Sequence, residues 1–136
     1  MFLLDTHVWI WTVEGDERRI GANTRRVLAR AEAADLLRVS PVSFFEVTTL
    51  HVSGRVHFNR SLDQWMRDGV AHVRVAELST DIAVDAGHIP RSALGDPMDR
   101  LLVASARQLD ATLLTADRAI LAYARGGHVR VHDASR

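Results

Sequence analysis

Four carboxylates in this 136-residue chain, Asp5, Glu46, Asp99 and Asp117, stand in similar local settings. Asp5 closes the apolar run Phe2-Leu3-Leu4, which reads as a buried strand. Glu46 lies in the first turn of the helix expected after a second strand, Asp99 in the first turn of a long helix, and Asp117 just after a fourth strand. If the strands are parallel, all four fall at one edge of the sheet, where open α/β proteins bind their ligands. Carboxylates brought together repel, so such a cluster is costly unless a cation neutralises it. An all-oxygen set suits one or two Mg²⁺ or Mn²⁺ ions. A metal in that position activates water and stabilises the charge of a phosphodiester under in-line attack.

Each acid also has a purely structural reading. Asp5 could cap the first helix, and Glu46 could complete a capping box with Ser43. Asp99 and Asp117 would both favour helix N-termini. Asp96, directly before Pro97, is best explained as an N-cap, with a supporting or metal-binding role as the alternative. The structural reading suits each acid taken singly, but does not account for four at one edge. Thr6 and Thr115 sit beside two of them, where a hydroxyl can orient a carboxylate or bound water. The seven histidines form no zinc pattern, and His7 is expected to point away from Asp5. Trp9, Trp11, Phe44 and Phe45 read as core or interface before they read as base-stacking platforms.

The elements that must position these residues alternate along the chain. A short helix is expected over Thr6–Val13, broken by Gly15-Asp16, and another over about Ala22–Ala34, with Leu36–Val39 as the second strand. Ser43 is read as the cap of a helix over Phe44–Val52, and Ser61 as the cap of one over Leu62–Gly69. A third strand lies within His72–Leu78, followed by a short helix from Ser79 or Thr80 through Ala86. Asp96-Pro97 opens the long helix, Ala111–Leu114 is the fourth strand, and Asp117–Ala124 a last short helix. Val129–Val131 is a fifth strand, and His132–Arg136 is expected to fray. The alternation predicts one domain, a three-layer α/β/α sandwich with a mostly parallel sheet of about five strands.

Composition narrows the possibilities. Hydrophobic residues are 47% and charged residues 25% of the chain, ordinary for a globular protein. No apolar run approaches the ~18 residues of a membrane span, so no membrane association is expected, and no positive segment precedes the first apolar run, so no secretory signal is expected. The absence of cysteine excludes disulfides and thiolate metal sites and fits a cytoplasmic protein. Net charge is zero, yet all 17 basic residues are arginine. Without lysine, Schiff-base chemistry and P-loop phosphate binding are excluded. Arg25, Arg26 and Arg30 on the second helix form a solvated face that can also guide a polyanion by screened electrostatics.

Leu3-Leu4-Asp5-Thr6-His7, Ser40-Pro41-Val42-Ser43-Phe44-Phe45-Glu46, Asp96-Pro97-Met98-Asp99-Arg100-Leu101-Leu102-Val103-Ala104 and Leu114-Thr115-Ala116-Asp117 together resemble the PIN-domain ribonucleases. The short form is similar to the VapC toxins of bacterial toxin–antitoxin pairs, and the resemblance covers nearly the whole chain. It implies an endoribonuclease dependent on Mg²⁺ or Mn²⁺, with the acid roles on Asp5, Glu46, Asp99 and Asp117. On that reading Asp5, Asp99 and one or both of Glu46 and Asp117 hold the metal. Arg100 contacts phosphate or pairs with a neighbouring acid. The resemblance also implies a homodimer and a VapB-type antitoxin that covers the site, often inserting an arginine near the acids.

Alternatives are separable. A phosphatase of the haloacid dehalogenase type needs a second Asp two residues after Asp5, where His7 stands. A response-regulator receiver needs a lysine. A non-catalytic PIN-like module binding RNA or protein would cut nothing.

Overall fold

The computed structural model describes residues 1–136. Five strands, β1 (Phe2–Leu4), β2 (Leu37–Val39), β3 (Arg74–Val75), β4 (Thr112–Thr115) and β5 (Val131–Asp133), form one sheet in the order β3-β2-β1-β4-β5. Every neighbouring pair is parallel. Seven helices connect and flank them: α1 (Thr6–Glu14), α2 (Ala22–Ala33), α3 (Pro41–Val52), α4 (Leu62–Gly69), α5 (Thr80–His88), α6 (Pro97–Gln108) and α7 (Arg118–Ala124). The α/β/α expectation therefore holds. The third strand lies within His72–Leu78 as expected; its two residues sit exposed at the sheet edge, with a single strand for a partner.

Strand alternation explains why the central strands are apolar throughout. Leu3 and Leu113 point into one core, with Leu102, Val103 and Ile120 from α6 and α7. Leu4 and Leu114 point into the other, with Val8, Trp9, Leu28 and Trp65 from α1, α2 and α4. A parallel sheet covered on both faces has no solvent side on which to place polar residues. β1 lies between β2 and β4 at the centre of this arrangement, so Asp5 at its end sits in the middle of the carboxyl edge.

The second core contact of α1 is unusually tight. The Trp9 indole N–H donates to the Gly69 carbonyl at 2.9 Å, and a Cβ placed on Gly69 would lie 2.7 Å from the Trp9 ring. Trp9 also meets Trp65 edge-on, with ring centroids 4.9 Å apart. Gly69→Ala is therefore expected to cost about 1–3 kcal/mol through overpacking. Its denaturation midpoint should fall with the denaturant slope unchanged; equal midpoints for variant and parent would show that α4 yields freely.

Three local expectations are corrected. The fifth strand spans Val131–Asp133, two residues later than the expected Val129–Val131. Residues His132–Arg136 do not fray. Ala134 is fully buried, its N–H donates to the Thr115 carbonyl at 2.9 Å, and its carbonyl accepts from Gly21 N at 2.9 Å. The buried Thr24 hydroxyl is 2.8 Å from His132 Nε2, so the start of α2 is tied to the chain beyond β4. Nor does Ser43 cap α3. That helix begins two residues after Val39, with Ser40 as N-cap and Pro41 in its first turn. Proline in the first turn loses no hydrogen bond, so it opens the helix rather than only ending the strand.

Candidate active site

The shifted start of α3 frees Ser43 and Glu46 from capping. Glu46 lies one turn deeper than the first turn, and Ser43 is fully buried one turn before it. The Thr6 hydroxyl donates to Glu46 Oε1 at 2.6 Å and lies 2.8 Å from Ser43 Oγ. With its single proton committed to Glu46, Thr6 accepts from Ser43. A relay from α3 through α1 and back thus fixes the Glu46 carboxylate.

Asp5 is buried at the N-cap of α1. One carboxylate oxygen accepts from Thr6 N at 2.7 Å, and the other accepts from the Thr115 hydroxyl at 2.6 Å. Thr115 in turn accepts from Asp117 N at 3.0 Å, coupling the end of β4 to the end of β1. Asp117 caps α7 through a 3.0 Å bond from Ile120 N, and Asp96 caps α6 through a 2.8 Å bond from Met98 N. Capping and membership of the site are therefore not competing roles. A residue between a parallel strand and its following helix is both an N-cap and a residue of the carboxyl edge. Five of the seven buried polar side chains, Asp5, Thr6, Ser40, Ser43 and Thr115, gather here, so this edge is where the fold tolerates buried polarity.

Asp5, Glu46, Asp96, Asp99 and Asp117 line a single cleft of about 210 Å³, with His7, Trp11 and Ala116 completing its wall. Their electrostatics record the crowding. Burial pushes Asp5 up, against the hydrogen bonds from Thr115 and Thr6 that pull it down. Burial also raises Glu46, opposed by the Thr6 hydroxyl and assisted by the charges of Asp5 and Asp96. Asp99 is pushed up to about 8, first by burial and then by Asp96, Asp117, Asp5 and Glu46. Every influence on Asp99 acts upward, so this carboxyl is the one least reconciled to the charge around it.

Such an acid-only donor set fits a hard divalent cation, since added positive charge would relieve the repulsion that raises Asp99. No three acidic or histidine side chains are already gathered tightly enough to enclose an ion. Mg²⁺ commonly binds through one or two carboxylates and retains waters, a mode that needs no closed cage.

Other residues fall differently from expectation. His7 lines the cleft instead of pointing away, because position 7 is only two residues into α1 and faces the same edge as its cap. Trp11, one turn on, joins it there. Arg100 forms no ion pair and is not part of the cleft wall; its Nε is buried without a partner. Ser43 was legible in the sequence only as a cap. Its spacing of three from Glu46, one turn on the same helix, was the signal that the two share a face.

A family model described as the PIN domain matches residues 2–126. The chain is 33% identical over 116 residues to Ribonuclease VapC22 of Mycobacterium tuberculosis, covering 85% of this chain and 86% of that protein. Among solved structures, VapBC2 from Rickettsia felis bound to a promoter DNA fragment aligns with a TM-score of 0.70 at 12% identity, covering 96% of each chain. DNA-bound VapBC from Salmonella typhimurium aligns with a TM-score of 0.70 at 17% identity, covering 97% of this chain and 96% of that one. At those identities the structures establish likeness of fold.

Proposed function

The chain belongs to the PIN-domain family, and we propose that it is an endoribonuclease toxin of the VapC kind, held in check by a VapB-type antitoxin. The observation that carries this reading is the cleft of five carboxylates at the carboxyl edge, with Asp99 pushed up to about 8 by its neighbours. Asp5 and Asp99 are the principal ligands of Mg²⁺ or Mn²⁺, joined by one or both of Glu46 and Asp117. When bound, the cation supplies charge neutralisation and a water of lowered pKa for attack on an RNA phosphodiester. The chain's own residues do the positioning. Thr115 and the Thr6 N–H fix both oxygens of Asp5, and the Thr6 hydroxyl fixes Glu46. Asp96 stays engaged as the cap of α6 and adds negative charge at the rim.

No helix is long and apolar enough to cross a membrane. Phe45 and Val52, seven apart on α3, are 62% and 78% exposed, and support pairing of two copies through that face. Light scattering on Phe45→Glu would read the loss of such a dimer.

The direct test is cleavage of total RNA by protein freed of antitoxin, with Mg²⁺ or Mn²⁺ and then with a chelator. Cleavage only with metal is expected; no cleavage under either condition would leave a binding module as the better reading. The pH dependence of metal binding follows from the site. With its pKa raised to about 8, Asp99 is mostly protonated at pH 6, and protons then compete with the cation. For one such group, Mn²⁺ affinity should fall roughly 50-fold from pH 8 to pH 6, and binding at pH 7 should release protons. Calorimetry in two buffers of different ionisation enthalpy reads both effects. A pH-independent affinity would remove Asp99 from the ligand set.

A further inference from the structure

The acidic cleft has no arginine in its own wall, so contacts beside it must help to seat an RNA strand. The chain has three tryptophans, and two of them, Trp9 and Trp65, are buried in the core. Trp11 is not. It forms part of the wall of the acidic cleft and also of a larger groove of about 600 Å³ bounded by α1, α2 and α4. It therefore stands on the ridge between the two depressions. His7 precedes it by one helical turn, exposed, with ring centroids 6.1 Å apart and planes tilted by 51°. Arg19 brings its guanidinium within 5.8 Å of the Trp11 ring centre. Its only ion pair is with Asp16, at 3.2 Å on the open surface, a kind of pair that contributes little and leaves the guanidinium free to turn.

We propose that Trp11, flanked by His7, is the platform on which an unpaired nucleobase next to the scissile phosphodiester stacks, with Arg19 meeting the backbone beyond it. This rests on the nuclease reading and specifies its substrate as single-stranded RNA with a base free to leave its neighbours. Stacking on an aromatic ring is tolerant of base identity, so the platform sets affinity and strandedness more than sequence. The ridge position places the base beside the carboxylates, so that the adjoining scissile phosphodiester can reach the cleft.

The test uses the full chain and a short single-stranded RNA containing a site that the unsubstituted protein cuts. Trp11→Leu keeps an apolar side chain against the core and removes the ring. Its KM should rise about 5- to 100-fold, as expected for one lost base stack, with kcat within about threefold. Trp11→Phe should recover most of the loss. In an Asp99→Asn background, 2-aminopurine placed along the RNA should be quenched at one position, and Trp11→Leu should abolish that quenching. An unchanged KM with Trp11→Leu overturns the platform while leaving the nuclease intact. So does an unchanged KM accompanied by weaker inhibition by the antitoxin, which would make the ridge a peptide contact. Absence of cleavage by the unsubstituted protein counts against the nuclease reading instead; 2-aminopurine in an arbitrary single-stranded RNA, quenched by the parent and not by Trp11→Leu, then still decides whether Trp11 stacks a base.

Discussion

Asp99→Asn is expected to abolish RNA cleavage and, without metal at pH 8, to melt at a higher temperature than the unsubstituted protein. The two effects share one cause. Asp99 is half-buried among four other carboxylates, and every influence on it raises its pKa, from 3.8 to about 8. A carboxyl whose folded pKa exceeds its unfolded value binds protons more tightly in the folded chain. Stability then falls as pH rises through the interval between the two values. The penalty is absent below about pH 4, grows between 4 and 8, and levels off above 8. At about 1.36 kcal/mol per unit the shift bounds it at about 6 kcal/mol; solvent screening in an open cleft reduces this to about 1–2 kcal/mol, or roughly 3–10 °C in Tm. Asparagine keeps the shape and removes the charge. Melting curves for the two proteins should therefore coincide near pH 4 and separate by pH 8, and added Mn²⁺ should stabilise only the parent. Loss of a metal ligand should lower cleavage by roughly 10³-fold or more, the equivalent of several kcal/mol of charge stabilisation. A variant that melts lower than the parent at pH 8 would show that Asp99 supports the fold instead of straining it.

Thr115→Val is expected to weaken both the fold and the site, although Thr115 itself meets no solvent. Its hydroxyl donates to Asp5 at 2.6 Å and accepts from Asp117 N at 3.0 Å, so one atom aligns two of the acids. Valine matches its volume and leaves a buried carboxylate oxygen and a backbone N–H without partners. That costs about 1–3 kcal/mol, seen as a lower denaturation midpoint. The Thr115 hydrogen bond is also the largest influence holding the Asp5 carboxyl down against burial. Without it Asp5 rises further and protonates more readily. Mn²⁺ affinity should drop about 10- to 100-fold, as when the support of a metal ligand is removed. Thr115→Ser, which retains the hydroxyl, should recover most of both losses. Parental Mn²⁺ affinity in Thr115→Val would show that Asp5 needs no such support, and would weaken its assignment as a principal ligand.

These two residues mark different degrees of legibility. Asp99 could be picked out from the sequence because Asp-Pro opens a helix unambiguously and places position 99 in its first turn. The alternation of strands and helices likewise fixed a parallel sheet and put Asp5 and Asp117 at its carboxyl edge. Those inferences rest on local chemistry: apolar period, capping and turn preference act over a few residues. Other features depended on choices between rival local signals. Ser40-Pro41 and Ser43 both offer a helix start; the earlier one prevails, and the Ser43 hydroxyl meets Thr6 of another helix instead. His132–Arg136 looked free at the chain's end, but the buried Ala134 and the tie to Thr24 hold it.

The class of fold, the acids and the edge where they lie follow from local patterns, because each strand end and helix start carries its own signature. How those acids are held and charged depends on contacts between distant segments. The Asp5–Thr115–Asp117 and Glu46–Thr6–Ser43 relays join residues up to 110 positions apart. The rise of Asp99 and the placing of His7 and Trp11 on the rim depend likewise on burial and on charges brought from three other segments. Burial and Coulomb interaction depend on distance in space, and a sequence records only distance along the chain.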